Sequence, residues 1–316
     1  MERRTVLGAG LGAGTALWSG VGTPAWPAGR GRPRAGDLAA ARWLFTAGEY
    51  DRLHQVLPAL LAAADGAGPV EAGCVAGVWA LASQLAVKRG AIQAAGDFAA
   101  RAGAAARRSG DPVLLAAAAR AAATPLRRTG RAGQALHLLR QAHDHLTAGS
   151  RPSPAALDAA GMVALTAAYT AAQAHLPSPA GEFIVLAEQT AVRLARHPGP
   201  PGRELSAQQC TLYRIGVHRE LDEVDRALAY AAAVDPAALP TPERRARAAT
   251  DTARALLAAG DAPAAFTQLQ MVEEAAPQEA RRPAVRVLTA EVAARRPDLP
   301  GIAAFTRRTV TSRPST

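Results

Sequence analysis

From Asp37 onward, apolar positions recur at i, i+3 and i+4, the period of a helix with one buried face rather than the alternation of a strand. The stretch holding Leu136, Leu139, Arg140 and His143 shows the switch between inner and outer faces within one such helix. Glycine- or proline-marked turns near positions 48, 90, 130, 177, 221 and 260 cut these runs about every 40 to 47 residues, which is the signature of a repeat array. The predicted elements are helix pairs that break at 65–69, 109–112, 147–154, 197–202 and 234–240, followed by a last helix over 283–295. Two turns, beginning Ala47-Gly-Glu and Ala259-Gly-Asp, combine a glycine that permits a tight reversal with an acid placed to complement the dipole of the next helix. The expectation is an all-α fold, an α-solenoid of about six tetratricopeptide-like helix pairs over 37–296, with a segment 1–36 before it and a basic tail 297–316 after it. The standard tetratricopeptide unit has about 34 residues, so the helices or links here are longer.

Composition strengthens the class assignment. Apolar residues make up 49% of the 316 positions while aromatics reach 4%, and alanine and leucine, which lose little freedom in a helix, dominate. Formal net charge is +10, yet Lys88 is the sole lysine and five arginines lie within the first 34 residues, leaving about +6 on the body. No basic stripe with interleaved aromatics accompanies that charge, so direct DNA binding by this chain alone is not expected. Cys74 and Cys210 lie far apart inside apolar helical segments and read as buried free thiols.

Arg3 and Arg4 precede an uncharged run to Gly22, the form of a twin-arginine export signal. Six glycines in that run and Trp26 in the cleavage region suit a linker equally well, so the residues alone leave export by the twin-arginine route and a cytoplasmic location both open. Within the body no chemistry assembles. The seven histidines form no ligand cluster, no phosphate-binding glycine loop follows a strand, and nucleophile–base pairs are absent, so no cofactor, no metal and no catalysis are expected. Polar and aromatic residues standing out on the alanine-rich first helices are Trp79, Gln84, Tyr169, Gln173, Tyr213, Asp251 and Arg254. First helices of stacked pairs line the concave side, which makes these the candidate groove for a ligand or peptide.

Four segments carry a more specific signal: QCTLYRIGVH over 209–218, VDPAALPTPERRAR over 234–247, DTARA over 251–255 and EAAPQEARRP over 274–283. In order and spacing they resemble the carboxy-terminal part of actinobacterial helix-turn-helix transcriptional regulators of the XRE family that carry a tetratricopeptide-like sensor region. The resemblance is specific over about 204–290 and architectural over 37–196. It implies a regulatory binding protein, a sensor or scaffold that takes a peptide, a small ligand or a partner protein in signalling to transcription. It also implies that 1–36 is an internal connector and hence a cytoplasmic location, with export by the twin-arginine route as the alternative; a homodimer is a separate arrangement left open. No stretch before Asp37 has room for the two helices of a helix-turn-helix, so the resemblance implies a free-standing sensor or a start placed too late.

Overall fold

A computed structural model describes residues 32–149, 151–198 and 203–310. Its architecture follows from six reversals built to one plan. Gly48, Gly90, Gly130, His175, Asp222 and Gly260 each take a positive φ, between 53° and 88°. The residue after each donates its N–H to the carbonyl five positions back, Glu49 to Leu44, Ala91 to Ala86, Arg131 to Leu126, Leu176 to Ala171, Glu223 to His218 and Asp261 to Leu256, at 2.8–3.0 Å. This closure satisfies carbonyls that the helix end leaves open and folds the chain straight back on itself. Asp261 also caps the next helix, its Oδ1 accepting from the N–H of Ala264 at 2.9 Å, whereas Glu49 makes no such side-chain cap.

The reversals join α1 (Ala35–Ala47) to α2 (Tyr50–Asp65), α3 (Ala72–Lys88) to α4 (Ile92–Ser109) and α5 (Pro112–Arg128) to α6 (Ala132–Thr147). They likewise join α7 (Pro154–Gln173) to α8 (Pro177–Ala195), α9 (Ala207–Glu220) to α10 (Val224–Ala233) and α11 (Pro242–Ala258) to α12 (Ala262–Ala275). A single turn, α13 (Pro277–Ala280), then leads to α14 (Pro283–Arg295) and α15 (Ile302–Val310). The described residues are thus helical with no strand, and consecutive helices pack in pairs as expected of a solenoid-like repeat.

Second helices are one-sided. In α4, Ala95, Ala99, Ala102 and Ala106 form the buried stripe, and in α6 Ala135, Leu139, Ala142 and Leu146 do the same. The first helices α3 and α7 are buried nearly all round because each packs on its partner and on the first helices before and after it, whereas α1 leaves Ala39, Arg42 and Trp43 exposed. The extreme is α7, the one described helix long and apolar enough to cross a membrane, which instead forms the middle of the core with Leu157, Met162, Val163 and Leu165.

The array does not stay open. Contacts run α1–α3–α5–α7–α9–α11 and then from α11 back to α1, so the inner helices form a closed ring around a central lumen. At the closure the backbone N–H of Asp51 donates to Gln278 Oε1 at 2.8 Å and the Tyr50 hydroxyl donates to Glu279. Gly48 sits so near α13 that a Cβ there would lie 2.9 Å from the Ala276 Cβ, so this glycine serves both the turn and the approach.

Two expectations are corrected. The segment read as a basic tail holds α15, whose Ile302 and Phe305 are buried and whose Phe305 ring meets Phe266 edge to face at 5.5 Å. Beyond the break expected at 197–202 the chain stays non-helical over 203–206 and α9 begins at Ala207, because Asp158 captures the N–H of Leu205 at 2.7 Å and Ser206 caps α9 by accepting from Gln209. Cys210 is buried but Cys74 is only half-buried, and both thiols are free. Arg3, Arg4 and the run to Gly22, on which the export reading rests, lie outside the described residues.

Candidate functional site

Each inner helix sends side chains into the lumen: Phe45 from α1, Gln84, Val87 and Lys88 from α3, Arg120, Thr124, Arg127 and Arg128 from α5, Thr166 and Tyr169 from α7, Tyr213 from α9, and Arg244, Arg247, Asp251 and Arg254 from α11. Arg282 and Ala284 at the start of α14 complete the wall around a cavity of about 230 Å³. The helical spacing explains the convergence. Arg244, Arg247, Asp251 and Arg254 fall at i, i+3, i+7 and i+10, one stripe of α11, and Arg120, Thr124 and Arg127 form the matching stripe of α5.

Charge in this wall is unevenly paired. Arg120 and Arg244 share Glu204 at 3.1 and 3.5 Å, and Arg120 is the chief influence holding the Glu204 carboxyl below its ordinary range. Arg247 and Arg254 share Asp251 at 3.5 and 3.2 Å. Lys88 stands 2.5 Å from Glu243 and also contacts Glu279, which accepts from Arg282 at 2.5 Å. Eight basic side chains thus meet four carboxylates, counting Glu204 and Glu279 behind the lining.

The two tyrosines report this field. Tyr213 is buried, which pushes its phenol up, yet Arg247, Arg244 and Arg120 together outweigh burial and bring it down to about 8. Arg247 lies over the Tyr213 ring at 4.4 Å and donates to its hydroxyl at 3.4 Å. Tyr169 moves the other way, raised first by burial and then by Asp251 and Glu220, and its hydroxyl donates to Glu220 at 2.8 Å. Gly216 of α9 makes room for that ring, since a Cβ there would lie 2.8 Å from Tyr169 Cε2.

Of the seven residues expected to line a groove, the lumen gathers Gln84, Tyr169, Tyr213, Asp251 and Arg254. Gln173 is exposed at the edge, one helical turn beyond Tyr169, donating to the same Glu220 at 3.0 Å. Trp79 points into the α3–α4 packing, stacked on Phe98 at 5.7 Å beneath Arg101 at 4.6 Å, and takes no part in the lumen. The arginines of α5 and α11 were missed as a set, although their seven-residue spacing, Arg120 to Arg127 and Arg247 to Arg254, on alanine-rich helices is a signal in the sequence. A larger groove of about 960 Å³ lies outside, between α4 and α6 over α5; its floor is rich in alanine, glycine and leucine, and Gln93, Asp97, Arg107, Gln134, Gln141 and His145 are among the side chains around it. Among the described residues, no three His, Cys, Asp or Glu side chains gather as a metal site.

No protein-family model matches the chain, and no curated protein matches it.

Proposed function

We propose that this chain is a binding protein, a sensor or scaffold of tetratricopeptide-like type, whose closed lumen is the ligand site. The observation that carries the reading is the convergence of charged, aromatic and amide side chains from every inner helix on one half-open cavity. A fold that needed only stability would fill that space with alanine and leucine, as it does between the layers, because buried charge is costly unless it serves another purpose. Such a lumen suits selective capture and lacks a nucleophile paired with a base, so binding rather than turnover is the reading the site supports best. An association with transcriptional control in the cytoplasm rests on the resemblance over 204–290. An exported scaffold would use the same lumen and would start near Gly29 when isolated from its host.

The test is a thermal-shift screen of small molecules and short peptides against the native chain and Thr124→Trp, which places an indole in the lumen. A ligand that stabilises the native chain and not the plugged variant supports the reading. One that stabilises both equally binds elsewhere and refutes it.

A further inference from the structure

On the α5 wall of the lumen, Arg127 and Arg128 carry charge that no carboxylate among the described residues pairs with, unlike Arg120, which meets Glu204. Arg127 is half-buried, its Nε is buried without a hydrogen-bond partner, and its one polar contact among the described residues is Nη1 to Thr170 Oγ1 at 3.5 Å. Its guanidinium otherwise rests on the Tyr169 ring at 5.1 Å. Arg128, beside it and exposed to the lumen, forms no ion pair among the described residues. The groups it faces are Arg254 and Arg282, whose own acids are already shared with Arg247 and Lys88. Burial first, then these like charges, lowers the Arg128 guanidinium below its ordinary range, and Arg127 is lowered by burial with Arg247 and Arg128 adding to it. Guanidinium groups stay protonated regardless, so the repulsion persists and an incoming anion relieves it.

Two unpaired and two shared guanidinium groups match a double negative charge better than a single one, and their forked donors suit the terminal oxygens of a phosphoryl group. A cavity of about 230 Å³ holds such a head group with a few further atoms and has no room for a helix or a long peptide. We propose that the lumen binds a small phosphate-bearing molecule, with the phosphoryl group held by Arg127, Arg128, Arg254 and Arg282. This rests on the reading of the lumen as the ligand site and names the class of ligand it takes.

The experiment is calorimetric titration with inorganic phosphate and glycerol 3-phosphate, with succinate and glycerol as controls, at fixed ionic strength. Both phosphates bind the native chain, glycerol does not, Arg128→Gln weakens binding about tenfold or more, and Thr124→Trp abolishes it. Arg128 is exposed, so its replacement leaves the fold intact by circular dichroism; Arg254→Gln is the second variant. A readout needing no variant is the 295 nm phenolate absorbance, whose midpoint for Tyr213 rises from about 8 when a dianion enters. Succinate binding with phosphate silent overturns the ligand class and leaves the lumen reading standing. Phosphate held equally by Arg128→Gln and Arg254→Gln overturns the assignment. Silence of every anion overturns it as well, and if the screen also yields no ligand sensitive to Thr124→Trp, the lumen reading falls with it.

Discussion

Replacing Lys88 with methionine removes the one ammonium group that ties the second helix pair to the last. Its Nζ lies between Glu243 and Glu279, and the three side chains are 11%, 8% and 0% exposed. Deleting one partner of a buried ion pair costs about 3–5 kcal/mol, because the charge left behind is uncompensated. Two features reduce the figure here. Glu243 keeps Arg244 at 3.6 Å, and Glu279 keeps Arg282 at 2.5 Å together with the Tyr50 hydroxyl. Methionine also retains the packing of the lysine stem. The expected loss is about 2–3 kcal/mol, roughly 4–10 °C in Tm for a chain of this length. Urea and thermal unfolding measure the loss, and small-angle scattering reads whether the ring loosens. A companion variant, Glu279→Gln, keeps an acceptor for Tyr50 and leaves Lys88 held by Glu243 alone; amine labelling of Lys88, read by peptide mass because the N-terminal amine reacts too, rises if the closure loosens. A loss below about 0.5 kcal/mol in Lys88→Met, the range of exposed pairs, would show that the network does not hold the ring and would refute the argument.

Acid should release the same closure. Burial pushes the Glu243 and Glu279 carboxyls up, but Lys88, Arg244 and Arg282 outweigh it and hold both below the ordinary 4.5, so the unfolded chain takes up protons first and stability falls as pH drops below about 4.5. Thermal unfolding between pH 6 and 3 measures this, and a flat profile would count against it. Tyr213, pulled down to about 8, should give a phenolate at 295 nm well before Tyr50 and Tyr169, both of which burial raises, and its contribution to stability should grow as pH rises from 8 toward 10; Arg247→Gln should move that midpoint back toward 10. Phe305→Ala should cost about 3–5 kcal/mol by urea unfolding, since the ring is 1% exposed against Phe266; a neutral result would mean that α15 does not cap the array.

What was legible in the sequence follows how local each feature is. Gly48, Gly90, Gly130 and Gly260 mark their turns because only a local constraint, a left-handed residue after a helix, decides them. His175 and Asp222 fill the same role without glycine, and flanking proline and charge still betrayed those turns. The helix α15 escaped notice because Arg307 and Arg308 make 297–316 look like a solvated tail, although Ile302, Phe305 and Thr309 share one buried face. Trp79 was placed in the groove because periodicity says that a helix has two faces, not which of them meets the lumen. Ring closure was out of reach altogether. It joins residues 191 and 229 positions apart, Lys88 with Glu279 and Tyr50 with Glu279, and no pattern within a helix encodes that meeting.

The closure and the lumen are made from the same side chains. Arg282 lines the cavity and holds Glu279, Glu243 binds Lys88 and flanks Arg244, and Lys88 itself faces the lumen. A buried ionic network is a poor way to gain stability, since apolar groups of similar size often do better, and its better-attested use is to specify one arrangement among several. Apolar contact between alanine-rich helices tolerates sliding, whereas Glu279 meets Tyr50, Lys88 and Arg282 together in a single register. The register that closes the ring is therefore also the one that brings Arg282 and Arg254 opposite Arg128. The segments 209–218, 234–247, 251–255 and 274–283 contribute Tyr213, Glu243, Arg244, Arg247, Asp251, Arg254, Glu279 and Arg282, so the most distinctive stretches of the sequence are those that set both the closure and the charge of the cavity.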